Sequence, residues 1–219
     1  MEKLLLIDGN SMVFRAFYAT LNHRMTSKSG QPTNAVFGFS NMLSKALELI
    51  NPDYTLIAFD TAAKTHRHNA YQDYKAQRKP LPEELISQFP LVREFLDHVP
   101  LRRFELEGFE ADDIIGTMVH KHPEKEVVIL TSDRDMLQLI NRNTTVLLMK
   151  KGITEMELVD EKTLLENYEL TPSQVIELKG LMGDSADNIP GIKGVGEKTA
   201  MKLLKEYETI ENLYQHTDD

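Results

Sequence analysis

Lys3-Leu4-Leu5-Leu6-Ile7 runs without a polar interruption into Asp8-Gly9-Asn10. A short continuous apolar stretch that stops this abruptly reads as a parallel strand buried on both faces. The pattern returns twice: Tyr54-Thr55-Leu56-Ile57-Ala58-Phe59 ends at Asp60, and Val127-Val128-Ile129-Leu130-Thr131 ends at Ser132-Asp133-Arg134-Asp135. Between the runs, helical periodicity predicts helices over 35–50, over 82–99 with a kink at Pro90, and over 111–120. Strands alternating with helices imply an α/β fold with a mostly parallel central sheet flanked by helices. Ligands of such sheets bind beyond the carboxyl ends of the strands, so three strands that each finish on aspartate aim their acids into one crevice.

From Thr171 the texture changes. Thr171-Pro172 caps a helix through Leu181, and turn formers then lead through Asp184 and Asp187 to Gly191-Ile192-Lys193-Gly194-Val195-Gly196, with a further helix over 197–207. The glycines are not a P-loop, because Glu197 intrudes before Lys198-Thr199 and no strand precedes them. Their G-x-x-G-x-G spacing also reverses the dinucleotide fingerprint. What remains is a tight hairpin between helices, whose N–H groups at Gly191, Gly194 and Gly196 can bind a backbone phosphate beside Lys193, Lys198 and Thr199. The polar tail, Gln215-His216-Thr217-Asp218-Asp219, is expected to fray.

Glu107-Gly108-Phe109-Glu110-Ala111-Asp112-Asp113 opens a helix with three acids beyond Phe109, and Glu110 and Asp113 share a face. Together with Asp8, Asp60, Asp133, Asp135, Asp184 and Asp187 they make nine carboxylates from five segments. Nine is also the whole charge excess, 25 basic side chains against 34 acidic. Acids brought side by side raise one another's pKa unless cations join them. An all-oxygen donor set without cysteine selects hard ions, so Mg²⁺ or Mn²⁺ fits better than zinc. Two such ions would suit in-line phosphoryl chemistry.

A basic segment follows Asp60 directly. Between Thr61 and Pro80 stand Lys64, Arg67, Lys75, Arg78 and Lys79 against the single acid Asp73, a local charge of +4. Lys75 and Arg78, three apart, are expected to offer two cations from one helical face to a phosphate. Tyr71 and Tyr74 are expected to be available for base stacking, and His66 and His68 to face solvent or phosphate.

With 219 residues, 41% of them hydrophobic, the chain can bury a full core without disulfides, and its lack of cysteine accords with a reducing compartment. No apolar run approaches the ~20 residues of a membrane span, and Met1-Glu2-Lys3 does not open a signal peptide. A cytoplasmic protein is expected, monomeric by default.

Taken in order, Leu6-Ile7-Asp8-Gly9-Asn10-Ser11, Ala58-Phe59-Asp60, Tyr74-Lys75-Ala76-Gln77-Arg78, Gly108 to Asp113, Ser132 to Asp135 and Lys179 to Gly191 resemble the 5′ nuclease domain of bacterial DNA polymerase I, in the flap endonuclease superfamily. The likeness implies a PIN/flap-endonuclease-like core over 1–170 with a basic arch or clamp about 61–81, and a helical region over 171–219 with a helix-hairpin-helix about 184–206. It implies a divalent-metal-dependent 5′-3′ exonuclease and flap endonuclease, acting on DNA with a 5′ flap or 5′ end, RNA-primed DNA included, in replication and repair near the nucleoid. Its products would carry a 5′-phosphate and a 3′-hydroxyl.

By the same likeness, Asp60, Glu110, Asp112 and Asp133 serve a tighter metal site and Asp135, Asp184 and Asp187 a looser one, with Asp8 and Asp113 in support. Asp60, Asp112, Asp133, Lys75 and Arg78 would be catalytic. Tyr74, Lys75 and Arg78 belong to the arch, and the glycine hairpin grips duplex and in relatives can hold a potassium ion. Relatives continue for several helices past this hairpin, and a polymerase then follows, so a chain stopping soon after Leu213 is expected to be a fragment. Two other readings stay open: a haloacid-dehalogenase-type phosphatase, disfavoured because Asn10 stands where that chemistry wants a second acid, and a non-catalytic binder of branched DNA.

Overall fold

Leu4 and Leu6 of the opening run pack on one side of the sheet and Leu5 and Ile7 on the other, all four buried. A strand covered on both faces must be apolar throughout, which is why the run carries no alternation. The computed structural model describes residues 1–23 and 25–216, so Thr217, Asp218 and Asp219 of the tail lie outside the described residues.

In chain order the elements are β1 (Lys3–Asp8), α1 (Gly9–Thr20), α2 (Asn34–Ile50), β2 (Tyr54–Phe59), α3 (His66–Ala70), α4 (Glu83–Ile86), α5 (Gln88–Asp97), β3 (Arg102–Glu105) and α6 (Ala111–Lys121). They continue with β4 (Glu126–Thr131), a 3-10 turn at Arg134–Leu139, β5 (Thr144–Met149), β6 (Met156–Val159), α7 (Glu161–Tyr168), α8 (Pro172–Met182), β7 (Gly183–Asp184), β8 (Ile189–Pro190), α9 (Glu197–Tyr207) and α10 (Ile210–Tyr214).

The main sheet has the order β3-β2-β1-β4-β5-β6, parallel except for β6, which pairs antiparallel with β5. The three strands that end on aspartates, β2, β1 and β4, are adjacent at its centre. The order reverses between β1 and β4, and such a switch point opens a crevice at the strands' carboxyl ends. One core carries α1, α2 and α5 through Phe17, Phe39, Leu43 and Leu96; the other carries α6, α7, α8 and α9 through Ile115, Leu164, Leu181 and Leu204. Among the described residues no helix is long and apolar enough to cross a membrane.

The sequence reading named no helix over 9–20, and two of its expectations change. Helix α1 begins directly at Gly9, because Asp8 caps it by accepting from the Ser11 N–H at 3.0 Å. The span 82–99 is two helices divided at Ser87, one turn before Pro90, so the interruption expected at the proline falls ahead of it and Pro90 itself lies in the first turn of α5. The basic segment is helical only at α3, and Lys75 lies beyond it with φ 58° in the left-handed region. Lys75 and Arg78 therefore do not share a helical face.

Candidate functional site

Each acid owes its place to an element end. Asp8 closes β1 and accepts from the Thr131 hydroxyl at 2.8 Å, which ties the ends of β1 and β4 together. Asp60 follows β2, accepts from the Ala111 N–H at 2.7 Å, and donates its own N–H to Asn10 Oδ1 at 3.1 Å. Asn10, where a phosphatase would need an acid, thus holds the end of β2. Glu110 caps α6 in a reciprocal box with Asp113, which accepts from the Glu110 N–H at 2.9 Å. Asp133 accepts from the Asp135 N–H at 2.8 Å, and Asp184 from the Ala186 N–H at 2.8 Å.

These placements bring the acids of all five segments to one crevice. The Asp112 carboxyl is pushed up to about 8 by burial and then by the charges of Asp8, Asp133, Asp60 and Glu110. Burial pushes Asp8 up to about 6, against hydrogen bonds from Ser11 and Thr131, and Asp60 and Asp133 add to the rise. Asp60 is raised chiefly by burial. Asp135 is raised by burial and by Asp133, with Asp184 adding a smaller push.

Cationic side chains claim the outer members. Lys75 Nζ lies 2.9 Å from Glu110, and Arg78 lies 2.6 Å from Asp187. Arg67 grips Asp113 with two bonds of 2.8 Å each. Lys179, to which the sequence reading gave no role, bridges Asp135 at 2.9 Å and Asp184 at 2.8 Å. Its five-residue offset from Asp184 was the available signal, since one further helical turn sets α8 over that loop. Burial alone would lift Asp113 and Asp184, but Arg67 and Lys179 hold both below the usual carboxylate range.

Tyr74 differs from expectation. It is 4% exposed, and its single hydroxyl lies 3.0 Å from Glu110 and 2.9 Å from Asp187, so it is no stacking surface. His68 also turns inward, its Nδ1 accepting from the Thr65 N–H at 3.1 Å as part of the α3 cap. The basic segment spans the crevice, with the Lys75 N–H donating to the Asp187 carbonyl at 2.9 Å.

Asp184 ends β7 and Asp187 lies in the turn between β7 and β8, a hairpin closed by a backbone contact that only glycine permits. Gly183 has φ 74°, and a Cβ there would lie 2.3 Å from the Gly191 nitrogen; one on Gly191 would lie 2.2 Å from the Met182 carbonyl carbon. Beyond it, Lys193, Lys198 and Thr199 are exposed on the hairpin, with Lys193 and Lys198 in no ion pair.

Among the described residues, no group of three or more histidine, aspartate or glutamate side chains is arranged to hold a metal ion as the side chains stand. The cationic side chains account for the outer acids. Among the described residues, Asp8, Asp60, Asp112 and Asp133 make no salt bridge. Asp8 is buried and the other three are half-buried; oxygen-only and mutually repelling, these four have the chemistry that suits a hard cation.

The fold is that of a known group of α/β proteins. It superposes on the zinc-bound 5′-exonuclease of T5 with a TM-score of 0.77 at 21% identity, over 99% of this chain and 79% of that one. It also matches the flap endonuclease-1 of Methanococcus jannaschii with a TM-score of 0.60 at 17% identity, over 98% of this chain and 74% of that one. Residues 3–169 match the family described as 5′-3′ exonuclease, N-terminal resolvase-like domain, and residues 170–219 the 5′-3′ exonuclease, C-terminal SAM fold. The chain belongs to the 5′-3′ exonuclease family.

It is 47% identical over 221 residues to DNA polymerase I of Bacillus subtilis, covering 100% of this chain and 25% of that protein. It is 44% identical over 218 residues to a 5′-3′ exonuclease of the same organism, covering 98% of this chain and 74% of that one. The chain thus spans a quarter of the length of the polymerase relatives it matches.

Proposed function

We propose that the chain hydrolyses phosphodiester bonds at 5′ single-strand/duplex junctions, as a metal-dependent 5′-3′ exonuclease and flap endonuclease in primer removal and DNA repair. One observation carries this reading: the Asp112 carboxyl, buried beside Asp8, Asp60, Glu110 and Asp133 at the switch point, forms an anionic pocket that a divalent cation would neutralise. Asp60, Glu110, Asp112 and Asp133 would hold an inner ion and Asp135, Asp184 and Asp187 an outer one, Mg²⁺ or Mn²⁺ in each case. Bound there, such ions supply Lewis-acid activation of water and of the leaving oxygen.

The remaining steps belong to the chain's own residues. Asp8 holds the ends of β1 and β4 in register, and Asp113 holds Arg67. Lys75 and Arg78 already face the crevice and would exchange Glu110 and Asp187 for a phosphate as charge develops on it. Lys193, Lys198, Thr199 and the N–H groups of the glycine hairpin would hold duplex backbone, with potassium as a further occupant of that turn. Residues 1–170 would form the nuclease core and 171–219 the duplex-holding unit, in a cytoplasmic parent chain that continues into a polymerase.

The test is a 5′-labelled flap duplex incubated with Mg²⁺, without it, and with chelator. Cleavage at the junction only with Mg²⁺ supports the reading. Binding without cleavage would leave a branched-DNA binder, and cleavage indifferent to chelator would remove the acids from the mechanism.

A further inference from the structure

Beside the acid crevice lies a cavity of about 730 Å³, bounded by Asp133 and Asp135, by Lys150, Glu157 and Tyr168, and by Met201 of α9. The volume is within the range of small-ligand pockets. Two of its cations are already neutralised: Lys150 by Glu157 at 2.7 Å, and Lys179 by Asp135 and Asp184. Arg134 is the cation on this cavity without a carboxylate partner among the described residues. It is exposed, and although Asp133 and Asp135 flank it in the chain, it bonds neither.

Its guanidinium has one neighbour that orients it, a ring whose centroid Lys150 Nζ also approaches, at 5.2 Å. The guanidinium lies over the Tyr168 ring, 5.7 Å from the centroid. That ring is anchored by its hydroxyl, which donates to Glu157 at 2.8 Å and accepts from Lys150 at 2.8 Å. Glu157 in turn accepts from Asn167 at 2.9 Å. A guanidinium held over an aromatic face without a carboxylate partner has N–H groups left for a phosphate. Leu137, Val175 and Leu178 line the same cavity and leave apolar space for a sugar and base.

We propose that Arg134, carried on Tyr168 at the mouth of this cavity, is a phosphate anchor for the nucleic-acid strand, taking one linkage just past the acid crevice. Tyr168 is a positioning residue that acts through Arg134. The proposal rests on the nuclease reading above.

Binding of a fluorescent 5′-flap duplex, measured in chelator across a potassium chloride series, tests it. Arg134→Gln should lower affinity equally across sequences and flatten the log–log salt dependence by about one unit, while Arg134→Lys keeps the slope. Tyr168→Leu should weaken binding in the parent but add nothing in Arg134→Gln, and Tyr168→Phe, which keeps the ring but loses its hydroxyl anchor, should weaken binding less than Tyr168→Leu. A single methylphosphonate near the cut should weaken the parent and leave Arg134→Gln unaffected. A folded Arg134→Gln with parental affinity and slope overturns the anchor while the nuclease stands. A parent chain that neither binds nor cuts the flap overturns both.

Discussion

The inner and outer acids of one crevice behave in opposite ways. Asp8 and Asp112 are buried among carboxylates and hold their protons more tightly than usual, whereas Asp113 and Asp184, each gripped by a basic side chain, lose theirs more readily. The rim is therefore a self-compensated frame, whereas among the described residues the central acids make no ion pair and are offset at Asp60 alone, by the more distant Lys75 and Arg78. Charge set aside in this way costs stability and is retained where binding or chemistry needs it.

The largest expected break in this comparison is Asp112→Asn. Cleavage of the flap substrate should fall on the order of 10³-fold in single-turnover kinetics with duplex affinity retained. A variant cutting at the parental rate would remove Asp112 from the mechanism. The same substitution should stabilise the metal-free fold at pH 8 by on the order of 3 kcal/mol, or about 6–12 °C in Tm.

The pH dependence sharpens the contrast. Asp8 and Asp112, raised above the ordinary 3.8, contribute stability that is complete below that value and is lost as pH climbs through about 6 and about 8. Asp113 and Asp184 run in the opposite direction, complete above 3.8 and lost on acidification. In chelator, Tm should decline from pH 6 to pH 9, and Asp112→Asn should remove most of that decline. A parent Tm flat over this interval would contradict the stored charge.

A smaller effect is expected at the rim. Arg67→Gln leaves Asp113 without its bidentate partner and should cost about 1 kcal/mol, the upper end for a partly exposed pair, seen as a Tm lower by about 2–4 °C. Smallest is Lys198→Ala on the exposed hairpin, which should weaken duplex binding a few-fold and flatten its salt slope by about one unit with cleavage chemistry intact. An unchanged slope would take Lys198 off the duplex path.

The centre of the sheet was legible because β1, β2 and β4 are buried on both faces and so spell out unbroken apolar runs. The edge strands were not: Arg102-Arg103-Phe104-Glu105 of β3 carries three charges in four residues, since half of an edge strand faces water. Helices α2, α6 and α9 were legible from period and caps, whereas α1 was not read, because it opens on Gly9-Asn10, two weak helix formers. The acids could be read from the strand ends. Their cationic partners could not, because Lys75 reaches Glu110 only through a left-handed residue, and Lys179 reaches Asp135 only once α8 packs against the 3-10 turn.

The touching backbones of Gly183 and Gly191 make the loop bearing Asp184 and Asp187 a rigid appendage of α8. Its two carboxylates are held on one hairpin, which the basic segment also grips through Lys75 and Arg78. The outer half of the acid cluster is thereby carried by the end of α8, so the seating of that helix against the 3-10 turn bears on where Asp184 stands relative to Asp135.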